Sequence, residues 1–257
     1  MEIHPTAVVH ESAQLAQGVK VGAYAHIGPE VSIGPGTQVD HHASIERLTT
    51  IGADCHIWPF ASIGTDPQDL KFGGERTTLQ VGDRVLIREF VTVNRGTGEG
   101  GGVTRLGDDC LLMAYAHVAH DCQLGQRVIM ANAATLGGHV HVEDFANIGG
   151  LVAIHQFTRI GTRAFIGGMS GVAQDQPPYC LCEGNRCKPH GMNVIGLRRA
   201  GFATETIEAL KTAYRIIFRT HTPIQKAMEQ VRAEVTGVPE VDHLLDFIAS
   251  SERGVAR

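Results

Sequence analysis

Aromatic side chains are scarce in this chain: Phe, Tyr and Trp make up 5% of 257 residues, with one Trp, Trp58. A broad globular core leans on such rings, so a thin, aliphatic-filled interior is expected instead. No apolar run approaches the roughly 18 residues that cross a bilayer, so no membrane insertion is expected. No signal-peptide pattern precedes the repeats that start at Ile3, and a cytoplasmic location is expected. Positive charge is not in excess. The 22 Lys and Arg stand against 27 Asp and Glu, for a net charge of −5 that offers no global attraction to nucleic acid. Cysteines number six. Cys55, Cys110 and Cys122 take small interior positions of the repeat described next and read as core fillers. Cys180, Cys182 and Cys187 cluster with His190, but a CxC opening departs from the CxxC pairs of structural zinc sites, so reduced loop thiols are expected there.

What the chain does have is 31 glycines and a steady beat. An aliphatic residue returns every sixth position from Ile3 through Val9, Leu15 and Val21 to Ile63, again at Val81, Ile87 and Val93, then from Leu106 through Val118, Leu136 and Ile154 to Val172. A helix turns about 100° per residue, so steps of six scatter side chains around its axis. A strand returns to the same face at every even step. The residues between the aliphatics do not alternate as in a long strand, so each unit is a short strand followed by a turn. Gly often follows the aliphatic, as at Gly22, Gly107 and Gly137, where unusual backbone angles or close backbone approach are expected. Four residues after the aliphatic stands a small or β-branched residue, as at Ala25, Val31, Ala116 and Ala134. One large and one small occupant per unit suit a narrow parallel β-helix.

In this the chain resembles the hexapeptide-repeat acyltransferases. The resemblance implies a left-handed parallel β-helix with three hexads in each coil, since the usual crossover rule favours the other hand. The β-helix is expected over 1–182. It has two interruptions: about 65–80, a degenerate coil or an extruded loop, and about 96–105, where Gly98-Glu99-Gly100-Gly101-Gly102 shifts the register and must protrude. Beyond Pro177-Pro178 the period becomes helical. Ile207, Leu210, Tyr214 and Ile217 follow Thr204, a candidate N-cap; Ile224, Met228 and Val231 form a second pattern, and Val241, Leu244, Leu245 and Ile248 a third. A C-terminal α-helical domain is expected over 191–257, with the polar segment 182–190 as the junction.

Val118, Leu136 and Ile154 are eighteen residues apart and so stack on successive coils. His120, His139 and His155 follow them by one to three positions, and His117 precedes the same corner. Such a cluster suits two chemistries: metal binding, as in the γ-type carbonic anhydrases built on this β-helix, or general-base catalysis by an imidazole. Asp121, next to His120, is placed to fix a tautomer. Lys211, Arg215 and Arg219 recur at four-residue steps along one helix face, preceded by Arg198 and Arg199, and form a local basic surface.

Several motifs carry a closer likeness: Asn94-Arg95-Gly96-Thr97, the run from Leu111 to Cys122, Gly137-Gly138-His139-Val140, His155-Gln156-Phe157, Gly171 to Asp175, Asp69-Leu70-Lys71, and Arg199 to Phe202. Over nearly its whole length the chain resembles the bacterial UDP-N-acetylglucosamine 3-O-acyltransferase family, which begins lipid A biosynthesis. The resemblance implies transfer of a 3-hydroxyacyl chain from acyl carrier protein to the sugar 3-hydroxyl, with no metal and no cofactor. It casts His120 as general base, Asp121 as its orienting partner and the Gly138 N–H as oxyanion donor. Asp69, Lys71, His117, His139, His155 and Gln156 would contact the sugar nucleotide or acyl group, and Asn193 and Arg199 would lie near the uridine diphosphate. Gly168, with Met169 beside it, would set acyl length, Gly being compatible with a long chain. Arg198, Arg199, Lys211, Arg215 and Arg219 would dock the acidic carrier protein, and three subunits would form a homotrimer with sites between them. Ile195 and Ala200 depart from residues that some members carry, Glu and a second Arg. Alternatives are a related acyltransferase on another nucleotide sugar, such as a 3-amino analogue giving an amide, and the carbonic anhydrase.

Overall fold

The computed structural model describes residues 1–257 as a left-handed parallel β-helix closed at its C-terminal end by helices. Most strands are two residues long, because each hexad spends its remaining residues on a turn. The strands stack into three parallel faces. The first begins at Glu2–Ile3, the second at Val8–Val9 and the third at Gln14–Leu15. On the second face Val93 pairs with Val118, Val118 with Leu136 and Leu136 with Ile154, one above another. The aliphatic of each hexad and its small companion point inward. Leu136 and Ala134 are both fully buried, as are Val118 and Ala116. Ile3 is 41% exposed because no coil lies beneath the first.

The corners explain the turn residues. Twenty non-glycine residues have positive φ, one near each corner, for example Tyr24, Asp54, Asp121 and His139. The left-handed position is thus two residues beyond the frequent Gly, which itself stays out of that region at Gly22, Gly107 and Gly137. Of the two reasons expected for those glycines, close approach is the one at work. A Cβ at Gly107 would lie 2.5 Å from the carbonyl carbon of Gly125 on the next coil. Each corner has its own ladder. Between the first and second faces Phe60, Phe90 and Tyr115 stack at about 5 Å. Between the third and first, Arg84 pairs with Asp109 at 2.7 Å. The corner between the second and third faces carries Asp121, His139 and Phe157.

Both interruptions leave from that last corner. Ile51 pairs with Val81, thirty residues on, instead of the eighteen of a regular coil. The first interruption is therefore an extruded loop, and its extra length is a whole number of hexads, so the beat stays in phase across it. Val81 pairs with Leu106, twenty-five residues on, and the second insertion breaks the phase.

The segment read as a polar junction is an antiparallel hairpin, Cys180–Glu183 with Lys188–Met192, that extends the first face. Its three cysteines are free, as expected, but Cys180 and Cys182 lie on a strand and only Cys187 in the turn; all three are buried against the core, and burial pushes their thiols up. Four helices follow: α1 (Val194–Arg199), α2 (Thr204–Phe218), α3 (Ile224–Glu234) and α4 (Pro239–Ala249). Thr204 is not the N-cap of α2; Ala203 holds that place and no side chain caps the helix. Burial of Ile207, Leu210, Ile216 and Ile217 stabilises α2 in place of a cap. No helix is long and apolar enough to cross a membrane.

Candidate active site

His120 and Asp121 turn the corner after the strand His117–Val118. Asp121 is left-handed, with φ 60°, and only 3% exposed. Its carboxylate accepts from Thr97 at both oxygens: Thr97 N–H lies 2.9 Å from Oδ1 and Thr97 Oγ1 2.7 Å from Oδ2. His120 Nδ1 lies 2.8 Å from Oδ2. A carboxylate offers only acceptors to a ring nitrogen. The proton of the His120–Asp121 contact therefore sits on Nδ1, which leaves Nε2 of His120 with a free lone pair.

The surrounding groups shape this nitrogen's setting. The His139 ring meets that of His120 edge-on at 5.1 Å, and its own Nε2 lies 3.7 Å from Asp121 Oδ2. Phe157, one coil further, stacks on His139 at 4.3 Å. Burial lowers His139 below the usual imidazole range, and the charges of Asp121 and of Asp69 in the first loop oppose it only in part. His117 is lowered by burial and then by His120, and its Nδ1 bonds Thr92 Oγ1 at 2.7 Å. In both rings burial favours the neutral form, which presents hydrogen-bonding nitrogens without charge. Gly138 is buried against the same ring. A Cβ there would lie 2.5 Å from His120 Cε1 and 2.7 Å from Nε2, so only glycine lets the backbone come this close. No protein acceptor takes the Gly138 N–H.

Nδ1/Nε2 and carboxylate atoms of His120, Asp121 and His139 lie within 4.8 Å of one another, the spacing of a metal site. The donor set argues otherwise. Asp121 Oδ2 is already bonded to Thr97 and His120, and the His120 nitrogen nearest the carboxylate carries a proton. A cation would have to displace these bonds.

Comparison with known proteins settles which lineage built this corner. The chain is 51% identical over 256 residues to an acyl-[acyl-carrier-protein]–UDP-N-acetylglucosamine O-acyltransferase of Thermodesulfovibrio yellowstonii, covering 100% of this chain and 99% of the relative. It is 50% identical to that of Syntrophobacter fumaroxidans, over the full length of both. The chain belongs to the UDP-N-acetylglucosamine O-acyltransferase family. Residues 104–138 match the bacterial transferase hexapeptide model, and 175–256 match the second domain of UDP-N-acetylglucosamine O-acyltransferase. The crystal structure of the Moraxella catarrhalis UDP-N-acetylglucosamine O-acyltransferase superimposes with TM-score 0.97 at 40% identity, covering 100% of both chains. A Bacteroides fragilis UDP-N-acetylglucosamine acyltransferase gives 0.97 at 39%, covering 99% of each.

The other expected site residues of this acyltransferase are more dispersed. Lys71, on the first loop with Asp69, is exposed and lies 3.6 Å from Glu99 of the second loop. His155 and Gln156 share the His120 corner but are exposed, and His155 Nδ1 lies 3.0 Å from Arg253 of the C-terminal tail. Asn193 and Arg199 are on another side of the prism. They line a cavity of about 590 Å³ against the first face, with Phe165, Ile195 and Gly196. There Asn193 also caps α1, accepting from Gly196 N–H at 3.1 Å. Gly168 and Met169 sit on the corner between the first and second faces, Met169 with its side chain outward, 77% exposed. Of the basic residues, Arg198, Arg199 and Arg215 are exposed. Lys211 pairs with Glu208 at 2.7 Å, and Arg219 donates to the His190 carbonyl at 2.8 Å. Neither Thr97 nor Arg253 is singled out for a role by the sequence reading; Thr97 lies within a family-like motif, but its contact with Asp121 spans 24 residues.

Proposed function

We propose that this acyltransferase moves a 3-hydroxyacyl chain from acyl carrier protein to the 3-hydroxyl of UDP-N-acetylglucosamine, the first step of lipid A biosynthesis, with His120 as general base. The observation that carries the mechanism is the 2.8 Å contact of His120 Nδ1 with the Asp121 carboxylate, which frees Nε2 to accept a proton. Nε2 removes the proton of the sugar hydroxyl as its oxygen attacks the thioester carbonyl. The carbonyl electrons move to oxygen, and the Gly138 N–H is the donor nearest that developing charge. Collapse of the intermediate breaks the carbon–sulfur bond, and the imidazolium returns its proton to the departing thiol.

His120 and its neighbours stand on one corner, while Asn193 and Arg199 border a cavity on another face. One protomer cannot bring both to a single nucleotide sugar. A homotrimer of prisms packed side by side does so, with the uridine diphosphate between subunits. Asp69, Lys71, His117, His139, His155 and Gln156 then contact the sugar or the acyl group. Gly168, with the exposed Met169 beside it, sets acyl length and is compatible with a long chain. Exposed Arg198, Arg199, Arg215 and Arg219, with half-buried Lys211, form the dock for the acidic carrier, and the enzyme works in the cytoplasm. The test is to incubate the protein with 3-hydroxyacyl carrier proteins of several lengths and with UDP-N-acetylglucosamine or its 3-amino analogue, and to weigh the products. An O-acyl product is expected; product only from the amino sugar, or none, overturns the reading.

A further inference from the structure

Asn94-Arg95-Gly96-Thr97 is the hinge of both loops, and nothing above gives it a task. Asn94 Nδ2 donates to Thr65 Oγ1 at 2.7 Å and to the Asp66 carbonyl at 3.0 Å. Arg95, 1% exposed, holds the Gly64 carbonyl and the Asp66 carboxylate. These two residues anchor the root of the first loop. Thr97, two residues on and 6% exposed, turns the other way and places both its N–H and its hydroxyl on Asp121. The Gly-rich loop then folds back over it: Gly100 N–H donates to Thr97 Oγ1 at 3.1 Å, and Gly102 N–H to the Thr97 carbonyl at 2.9 Å.

We infer that Thr97 is a positioning residue for the catalytic pair, setting the His120 tautomer through Asp121. The hydrogen bonds all run one way. A main-chain N–H can only donate, so Oδ1 of Asp121 is an acceptor. Gly100 N–H donates to Thr97 Oγ1, whose own proton finds its acceptor in Asp121 Oδ2 at 2.7 Å. With its oxygens receiving these donors, Asp121 has no proton to give, and His120 must supply the one between them. Take the hydroxyl away and Oδ2 loses a partner inside a site that admits little water. The carboxylate is then free to rotate away from Nδ1, and His120 can hold its proton on Nε2, the wrong nitrogen for a base. The loop explains its own glycines: a Cβ at Gly100 would overlap the Asp121 carboxylate. A long insertion with little side-chain bulk thus covers the carboxylate and keeps water from it.

This inference rests on His120 being the base, and the test separates the two ideas. Thr97→Val keeps the shape and the N–H but removes the hydroxyl; Thr97→Ser restores it. For Thr97→Val, kcat is expected to fall about tenfold, in line with one charge-assisted hydrogen bond, with KM for the nucleotide sugar unchanged. Thr97→Ser should recover most of it. In ¹⁵N-histidine NMR spectra, His120 should show the Nδ1–H form in wild type and Thr97→Ser and a mixture in Thr97→Val. In an Asp121→Asn background the Thr97→Val change should cost nothing more. Gly100→Ala, which crowds the carboxylate while leaving the Thr97 hydroxyl in the chain, should lower kcat in the same way and serves where Thr97→Val does not fold. If His120→Ala abolishes transfer while Thr97→Val retains wild-type kcat or an unaltered His120 tautomer, the positioning role fails and the base stands. A fully active His120→Ala would overturn the base itself.

Discussion

His120 Nδ1 and Asp121 Oδ2 lie 2.8 Å apart although the residues are consecutive, because the left-handed backbone at Asp121 folds its carboxylate beneath its neighbour's ring. The proposed catalytic pair, built from adjacent residues, moves as one corner. Its geometry is set by the stacked coils around it, and little is left to loop mobility.

Replacing His120 with Ala should lower kcat by about 10²–10⁴-fold, the range for loss of a general base. Asp121→Asn should approach that loss, since an amide NH₂ facing Nδ1 reverses the tautomer. Steady-state kinetics with a carrier-bound acyl donor measure both, and undiminished turnover in either variant contradicts the mechanism.

Gly138→Ala should act on the same step from the other side. Its Cβ would sit 2.5 Å from His120 Cε1, so the ring must shift or the backbone must retreat. A kcat loss of at least about tenfold is expected from one misplaced donor and base, with KM for the nucleotide sugar changed less. A variant as active as wild type would remove Gly138 from the oxyanion role.

A site shared between subunits, as proposed, predicts complementation. His120→Ala damages the corner side of the site and Arg199→Ala the cavity side. Each homotrimer should be weak, whereas trimers refolded from an equal mixture should contain some intact sites and regain activity. No recovery in mixtures shown by native mass spectrometry to be heterotrimers would place the whole site in one protomer.

The C-terminal helices are held to the β-helix by a pH-sensitive contact. His243 of α4 bonds Glu143 at 3.1 Å through Nε2 and Tyr179 Oη at 2.9 Å through Nδ1. The hydrogen bond with Glu143 raises His243 above its ordinary 6.5, against burial. Burial pushes Glu143 up, but hydrogen bonds from His243 and Thr162 outweigh it and hold the carboxyl below 4.5. The raised imidazole contributes fully below 6.5, and its contribution is lost as pH rises through the folded-state value. The lowered carboxyl contributes fully above 4.5, and its contribution is lost as pH falls through its folded value. Wild type should therefore exceed His243→Ala in Tm by most between these limits, and by less at pH 8. Thermal melts at pH 5.5 and 8 check this; equal gaps at both would disprove it.

Within the prism, Leu136→Ala should cost about 2–5 kcal/mol, because the cavity is walled by the coils above and below and cannot collapse. Urea unfolding read by circular dichroism measures it. A cost below about 1 kcal/mol would mean that the interior is less tightly packed than its fully buried side chains indicate.

The beat of six was enough to reveal the β-helix, because a stacked coil repeats its surroundings and so repeats its residue types. Ile27, Ile45, Ile63 and Val93 meet the same wall and the same neighbours, and each is fully buried. It also located the histidine corner, since positions eighteen apart lie above one another. Whether the first interruption is a coil or a loop could not be read from the pattern, because its extra length preserved the phase. The corner glycines were legible as special, but whether angle or crowding demanded them was not, for either need selects the same residue.

Sequence alone determined the repeating architecture, the helical cap and the family, each written in periodicity or in contiguous motifs. Only the tertiary structure decided that Thr97 grips Asp121, that Arg253 reaches His155, that Cys180, Cys182 and Cys187 are interior, and that Asn193 and Arg199 face a different side from His120. Those relations involve insertions and tails that lie outside the register of the stacked coils. A hydrogen bond depends on where two atoms end up in space, and outside the regular coils that position is set by how insertions and tails fold back on the prism.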